Sequence, residues 1–431
     1  MIYRSLGGAS PDVDFRTATI QGQAPDKGLY FPTSIPRWDP PFLKHLKTMD
    51  RDEMAFQVMH PYVGDCIPET DLRRIVHETL DFNIPLVSVT DNISSLELFH
   101  GPTLAFKDVG ARFMSRCLGH FSAERSGRIV VLVATSGDTG GAVANGFFDV
   151  DGVDVVILYP AGKVSPVQEK QLTTLGRNIH ALEVHGNFDD CQRMVKQAFM
   201  DTDLKSKVFL TSANSINVAR WLPQQLYYIL AWQQWQQETP PVISVPSGNF
   251  GNICAGMMAW SSGLPVSHFI AACNANDTVP RFLTNGKYVP NPAVATLSNA
   301  MDVADPSNFI RILELFGSRD AMSEQLHSVS ISDEETTATI ARVHRENGYL
   351  LDPHGAIGFL ALERWMRFNP GHYGYFLETA HPVKFPESVE AATNQSIPLP
   401  DQVIPLMHAK KKSTEIPVSD ESLRSFLERF I

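Results

Sequence analysis

The chain has 431 residues, which at roughly 150 residues per domain indicates about two to three domains. Hydrophobic residues make up 43% and charged residues 19%, a balance typical of a folded, soluble protein that excludes disordered, collagen-like and disulfide-scaffold classes. The 36 basic and 47 acidic residues leave a net charge of −11, which disfavours nucleic acid as a partner.

The lack of a recognisable signal peptide or membrane helix, together with the cysteine pattern, indicates an intracellular protein. The N-terminus has no apolar signal-peptide core, and no run approaches the roughly 20 apolar residues of a membrane helix. The five cysteines are widely spaced and form no C-x-x-C pair, which fits neither a disulfide framework nor a zinc cluster. We therefore expect reduced thiols, no metal site, no membrane attachment and a cytoplasmic location.

Secondary-structure signals become regular after an irregular start. Helical patterns run over about 40–60 and 69–81. Further along, β-branched apolar runs alternate with helical stretches and predict strands at 129–133, 153–158, 242–245, 268–273 and 373–377. This alternation predicts an α/β fold with open, mostly parallel sheets covered by helices on both faces. Residues 386–431 read as amphipathic helix and loop without site chemistry.

The first candidate binding loop follows the strand predicted at 242–245 and leads into a helix that starts near Ile253. It reads Gly248-Asn249-Phe250-Gly251-Asn252. A glycine-rich turn before a helix presents free backbone N–H groups and the positive end of the helix dipole, which suits a phosphate. The spacing is neither G-x-G-x-x-G nor a Walker A loop, so a dinucleotide site is disfavoured. An ordinary tight turn between strand and helix remains the alternative.

The second candidate loop is Thr135-Ser136-Gly137-Asp138-Thr139-Gly140, between a buried strand and a helix predicted to begin near Gly141. Hydroxyl groups and exposed N–H groups at a helix N-terminus suit a carboxylate or a phosphate. A plain helix cap explains these residue types as easily.

The third candidate is Lys107, which follows an apolar stretch and precedes the helical pattern at 108–118. Apolar neighbours and a helix N-terminus disfavour the ammonium form, which leaves an amine better able to form a Schiff base. An isolated lysine more often extends to solvent. One such lysine, a phosphate loop and an anion loop on separate βα units are, however, the parts of a pyridoxal phosphate site.

Seven segments, in order along nearly the whole chain, resemble the threonine synthase family of pyridoxal phosphate enzymes of fold type II. The string Phe-His-Gly-Pro-Thr-x-x-Phe-Lys-Asp, which ends at Asp108, is the most specific of them. The segments are 22–32, 99–108, 134–140, 214–217, 246–251, 297–302 and 379–385.

The resemblance implies a role for each matching residue. Lys107 would form the Schiff base with pyridoxal 5′-phosphate, and Thr379 would face the pyridine nitrogen. The cofactor phosphate would be held by Gly248, Asn249, Phe250, Gly251 and Asn252. The substrate α-carboxylate would be received by Thr135, Ser136, Gly137, Asp138 and Thr139. Candidates for the substrate phosphate, each more easily explained as structural, are Arg281, Asn299, Asp302, Arg311 and Lys384.

Three positions depart from the family pattern. Lys27 stands where a glycine is common, Asn252 replaces a frequent aspartate, and Gly355 stands where a larger residue is usual. The resemblance also implies three units: an N-terminal domain over 1–95, a smaller α/β domain over 96–205 that carries Lys107, and a larger α/β domain over 206–431 that carries the phosphate loop.

The implied activity is a lyase reaction, the last step of threonine biosynthesis. O-phospho-L-homoserine and water would give L-threonine and phosphate, through loss of phosphate from Cγ and addition of water at Cβ. A serine/threonine dehydratase or another β-eliminase should lack the 99–108 and 22–32 segments, whereas a phospho-amino-acid lyase would share both. A non-enzymatic binding module would be expected to have lost Lys107, and the loop spacing disfavours a dehydrogenase.

Overall fold

The computed structural model describes residues 1–123 and 127–431. Its strands are β1 Ile2–Ser5, β2 Val13–Asp14, β3 Tyr30–Pro32, β4 Leu86–Ser88, β5 Ile93–Glu97, β6 Ile129–Ala134, β7 Val153–Pro160, β8 Ile179–Val184, β9 Phe209–Thr211, β10 Val242–Pro246, β11 His268–Cys273, β12 Leu326–Ser330, β13 Gly374–Glu378 and β14 Ser413–Ile416.

The α-helices are α1 Phe15–Gln21, α2 Pro40–Leu46, α3 Arg51–Val63, α4 Glu69–Thr79, α5 Lys107–Ser122, α6 Asp138–Phe147, α7 Pro166–Thr173, α8 Phe188–Met200, α9 Thr202–Lys207, α10 Val218–Trp221, α11 Gln225–Gln234, α12 Gly251–Ser262, α13 Thr278–Asn285, α14 Phe309–Phe316, α15 Arg319–Gln325, α16 Asp333–Asn347, α17 Pro353–Phe368, α18 Pro386–Thr393, α19 Ile404–His408 and α20 Asp420–Leu427.

Two open sheets form the body of the protein. One has the order β14-β8-β7-β6-β9, and its paired strands are parallel. The other has the order β12-β11-β10-β13-β5-β4 and is parallel except for the edge strand β4. Every residue of β6, β7 and β10 is buried, because helices cover both faces of these sheets. The predicted α/β class is confirmed.

The five predicted strands are confirmed to within a few residues. The helical pattern at 40–60 divides into α2 and α3, because the Asp50 side chain accepts the N–H groups of Asp52 and Glu53 and caps a new helix. The helix predicted from Gly141 begins three residues earlier, at Asp138. The prediction that 386–431 contains only helix and loop was wrong, because this segment contains β14. This edge strand is half exposed and has no apolar run that would indicate a strand.

The two large sheets are not built from continuous segments of the chain. Both β9 and β14 lie within 206–431, yet they form the two edges of the sheet whose central strands are β6, β7 and β8. A small antiparallel sheet, β2-β1-β3, begins the N-terminal part. The ranges 1–95, 96–205 and 206–431 stay a prediction about domains, and the last of them contributes two strands to the sheet of the second.

Neither a membrane helix nor a metal cluster is found in the part of the chain that the structure describes. No described helix combines the length and apolar character needed to cross a membrane. The described His, Cys, Asp and Glu side chains form no group of three or more that could hold a metal ion. All five cysteines are free thiols, and all but Cys66 are buried.

Candidate active site

Lys107 lies at the carboxyl end of the six-stranded sheet, beside the segment that follows β13. The N–H of Phe106 donates to the carbonyl of Thr379 at 2.9 Å, and the N–H of His381 donates to the carbonyl of Leu104 at 3.0 Å. The Tyr227 hydroxyl donates to the carbonyl of Phe106. These bonds fix the start of α5 against Thr379, so the two residues predicted to meet the cofactor ring are tied through the backbone.

The segment 99–108, which carries the most specific string, folds around its last residue, Asp108. This buried carboxylate accepts the backbone N–H of Thr103 at 2.9 Å and its hydroxyl at 2.5 Å. A Cβ at Gly101 would collide with the same carboxylate. Glycine, threonine and aspartate at this spacing therefore close a tight turn that aims Lys107 inward.

The Lys107 amine is mostly buried, with 15% of its side chain exposed, and its Nζ lies 4.0 Å from Oδ2 of Asp138. Burial lowers the pKa of Lys107 to about 8, an effect that Asp138 opposes and the charges of Lys384 and Arg220 reinforce. A larger fraction of the amine is therefore unprotonated near neutral pH than for an exposed lysine. Such an amine is a competent nucleophile toward an aldehyde.

This environment predicts a pH profile for aldehyde capture by the apoprotein. With a Lys107 pKa of about 8, the initial rate of Schiff-base formation should rise from about pH 7 and level off above about pH 9. Stopped-flow absorbance on mixing with pyridoxal phosphate measures it. Asp138→Asn should move the plateau to lower pH, since the Asp138 charge favours the ammonium. A rate that rose without a plateau through about pH 10 would contradict the assigned environment.

The loop at 135–140 is held by a side-chain cap, and its backbone leads into the N-terminus of α6. The buried Thr135 hydroxyl accepts the N–H groups of Gly137 at 3.0 Å and Gly140 at 2.8 Å. Gly137 has a φ of +143°, and a Cβ there would collide with the Gln168 carboxamide. As the first residues of α6, Asp138 and Thr139 have N–H groups without intrahelical acceptors, which suits an anion.

The side chain of Asp138 forms a buried ion pair, so this side chain does not itself bind an anion. Its Oδ1 lies 2.7 Å from the Nζ of Lys384 and accepts a hydrogen bond of 2.9 Å from Gln168. Burial acts to raise the pKa of Asp138, but Lys384, Lys107 and the hydrogen bonds outweigh it and hold that pKa well below its usual range. Any contribution of Asp138 to carboxylate binding would come from its backbone N–H, with Ser136 and Thr139 half-exposed beside it.

The loop at 248–252 forms a backbone cradle between β10 and α12. Phe250 has a left-handed backbone (φ +60°, ψ +10°), which is uncommon for a residue with a side chain and typical of ligand clamps. Its ring is anchored edge-on against Phe309 at 5.6 Å. A Cβ at Gly248 would lie 2.7 Å from the Cα of Met301, so this position requires glycine. The first-turn N–H groups of α12 are left for an anion.

The two asparagines of the cradle have different roles. The Asn249 side chain is used structurally: it donates to Ser215 Oγ at 2.5 Å and accepts the N–H of Ser307 at 2.7 Å. Asn252 accepts the Tyr228 hydroxyl at 2.9 Å through Oδ1, whereas its buried Nδ2 has no hydrogen-bond partner among the described residues. A buried donor without a partner in an anion cradle fits a phosphate group, and the cradle therefore fits the cofactor.

Removing that donor should weaken cofactor binding. For Asn252→Ala we expect the dissociation constant of pyridoxal phosphate to rise about tenfold, as for loss of one hydrogen bond to a charged group. Tyr228→Phe is the matched control, since it removes the hydroxyl that touches Asn252 and keeps Nδ2. Titration of the Schiff-base absorbance compares the two, and an equal effect of both variants would contradict the role of Nδ2.

Four of the five substrate-phosphate candidates are committed to structural bonds. Arg311 is fully buried and donates to the carbonyls of Tyr30 and Ile216. Arg281 donates to Asp277 at 2.8 Å and to the carbonyl of Val289. Asp302 accepts from Thr296, Asn274 and Asn276. Asn299 is exposed, and fully buried Lys384 holds Asp138 and donates to the carbonyl of Thr103 at 2.8 Å.

Sequence reasoning missed the groups that set the electrostatics around Lys107. The sequence indicates Lys384 only as a candidate for the substrate phosphate, and it gives no signal for Gln168 or the buried Arg220. Lys384 could have been noticed, since it lies in the 379–385 segment that resembles the family. The pairing of Lys384 with Asp138 could not have been predicted, because the two residues follow strands of different sheets.

Comparison with known proteins identifies the family of the chain. Family models match as "Threonine synthase N terminus" over residues 2–80, "Pyridoxal-phosphate dependent enzyme" over 95–372 and "Threonine synthase, C-terminal" over 355–427. The chain is 47% identical to threonine synthase of Serratia marcescens over 417 residues, 96% of each chain.

Solved structures give the same result. The crystal structure of threonine synthase from Escherichia coli matches with a TM-score of 0.93 at 43% identity, covering 100% of both chains. The structure of PLP-bound threonine synthase from Brucella melitensis matches with a TM-score of 0.94 at 37% identity, covering 100% of this chain and 99% of that one. The chain belongs to the threonine synthases, a family of pyridoxal-phosphate-dependent lyases.

Proposed function

We propose that the protein converts O-phospho-L-homoserine and water to L-threonine and phosphate in the cytoplasm. The observation that carries this proposal is the meeting of Lys107 with Asp138, 4.0 Å apart, where the start of α6 faces the end of β13. A poised amine beside an anion-binding helix start is what an amino-acid substrate with a carboxylate requires. Family membership supports the choice of substrate, and the free thiols support a reducing compartment.

The cofactor would be held by three sets of groups. Lys107 would bind its aldehyde carbon, the N–H groups of 248–252 and Asn252 Nδ2 would bind its phosphate, and Thr379 would meet its ring nitrogen. When bound, pyridoxal phosphate supplies an electron-withdrawing ring that stabilises negative charge on the substrate carbons. A neutral threonine hydroxyl, unlike a carboxylate, does not favour a protonated ring nitrogen.

The protein's own groups would bind the substrate and move its protons. The N–H groups of Asp138 and Thr139, with the Ser136 and Thr139 hydroxyls, would orient the α-carboxylate. Lys107 would take the proton from Cα and later return one there. Asp138, held ionised by Lys384, would stabilise the ammonium that Lys107 becomes each time it carries a proton. The burial of Lys107, Asp138 and Lys384 would limit the access of water to the reacting atoms.

A product assay tests the proposal. The holoenzyme is supplied with O-phospho-L-homoserine, and phosphate, threonine, keto acid and ammonia are quantified over time. We expect threonine and phosphate in equal amounts. Phosphate with keto acid and ammonia would instead identify a phospho-amino-acid lyase. In parallel assays with unphosphorylated serine or threonine, release of keto acid and ammonia without any turnover of O-phospho-L-homoserine would identify a dehydratase.

A further inference from the structure

Glu378 is a fully buried acid at the end of β13, next to Thr379. Its Oε1 accepts the N–H of Asp352 at 2.6 Å, whereas Oε2 has no hydrogen-bond partner among the described residues. Burial of a carboxyl group is unfavourable unless its surroundings compensate for lost hydration. Burial and, secondly, the nearby Asp352 side chain raise the pKa of Glu378 well above its usual range.

Space for the Glu378 carboxyl exists because residue 355 has no side chain. A Cβ at Gly355, in the first turn of α17, would overlap Oε2 of Glu378 and lie 2.8 Å from Oε1. The carboxyl group is therefore seated directly on the Gly355 backbone. The unusual glycine at 355 and the buried acid at 378 are complementary in shape.

Asp352 connects this pair to both neighbours of Thr379. Its N–H donates to Glu378, and its Oδ2 accepts the N–H of Ala380 at 3.3 Å. Its Oδ1 accepts the N–H of His354 at 2.6 Å and so caps α17. The carbonyl of Thr379 in turn accepts the N–H of Phe106, the residue before Lys107. A shift of Glu378 would be transmitted to Thr379 and to the start of α5.

We propose that Glu378 is a positioning residue for the cofactor ring: seated on Gly355 and bonded to Asp352, it fixes the segment 378–380 that presents Thr379. The inference rests on the proposed function in one respect, the placement of Thr379 at the pyridine nitrogen. It makes the Gly355–Glu378 pair a determinant of how the cofactor ring is held.

A mutant cycle on the full-length protein tests this pairing, with pyridoxal phosphate as the only ligand. For Gly355→Ala and for Glu378→Ala we expect the cofactor dissociation constant to rise about tenfold and the Schiff-base absorbance band to shift. The double variant should lose clearly less affinity than the two single losses combined, because the new methyl group occupies the space that the carboxyl leaves, while the N–H of Asp352 still lacks its acceptor. Equilibrium titration of the absorbance band gives both quantities.

Two further variants separate positioning from a general packing effect. Gly358→Ala adds a methyl group to the same helix, where its Cβ would lie 3.2 Å from Pro246, and should leave the band unchanged. Glu378→Gln keeps the shape and the acceptor for Asp352, so it should retain cofactor affinity and band position. It decides the question even if Gly355→Ala fails to fold.

Three results would overturn the inference: an unchanged band and affinity in folded Glu378→Ala, equal effects of Glu378→Gln and Glu378→Ala, or additive losses in the double variant. A protein that bound the cofactor as described but made no threonine would overturn the proposed function alone.

Discussion

Replacing Lys107 with alanine is expected to abolish the Schiff-base absorbance and to reduce threonine formation by about 10³-fold or more. The reason is that Lys107 is both the covalent attachment point and the base placed at Cα in the proposed mechanism. Its Nζ is mostly buried and lies 4.0 Å from Oδ2 of Asp138. Lys384 also lies beside this carboxylate, but it is already bonded to it at 2.7 Å and so does not replace Lys107. Absorbance and product assays on the purified variant measure both effects.

Lys205→Ala is the matched control, because it removes an exposed lysine from helix α9. It should leave both the absorbance and the rate unchanged. Folding of Lys107→Ala should be intact, since removal of a desolvated ammonium relieves an unfavourable burial. A Lys107→Ala protein that retained the absorbance band would mean that another lysine holds the cofactor.

Replacing Asp138 with alanine is expected to lower the free energy of unfolding by about 3–5 kcal/mol, the effect of breaking a buried ion pair. Lys384 is fully buried, and without Asp138 its ammonium would keep only the Thr103 carbonyl as a bonded partner among the contacts described above. Urea unfolding of the apoprotein, followed by circular dichroism, measures the change.

Two variants give this prediction its controls. Arg193→Ala breaks an exposed ion pair with Asp420, 2.9 Å long, and should change the free energy by at most about 1 kcal/mol. The double variant Asp138→Ala, Lys384→Met removes both charges and should be more stable than Asp138→Ala alone. If the double variant were the less stable of the two, Lys384 would not be the group left uncompensated.

Local signals were sufficient to predict five of the strands that the structure shows, all of them interior strands of the two large sheets. The runs that became β6, β7, β10 and β11 are continuous and β-branched, as buried parallel strands are, and their loops carry the glycines that the site requires. The same reasoning failed at β14, whose sequence Ser-Thr-Glu-Ile has no apolar run because it lies at a sheet edge.

Contacts between residues far apart in the chain could not be predicted from the sequence. The sequence places Asp138 in a predicted carboxylate-binding loop, because its partner Lys384 follows β13 on the other sheet and no local pattern indicates the contact. Gly355 could be noted as unusual, but the reason for it is the Glu378 carboxyl that fills its place. Such contacts depend on how the two sheets face each other, which periodicity and turn chemistry do not encode.

The most direct test of the central claim follows oxygen through the reaction. The holoenzyme is run on O-phospho-L-homoserine in water enriched in heavy oxygen, and both products are analysed by mass spectrometry. Elimination breaks the bond between Cγ and oxygen, so phosphate should leave with its substrate oxygens only, while the hydroxyl at Cβ of threonine should carry the solvent oxygen. Heavy oxygen in the phosphate with homoserine as the other product would mean simple hydrolysis at phosphorus, and would contradict the assignment of Lys107 as the group on which the reaction depends.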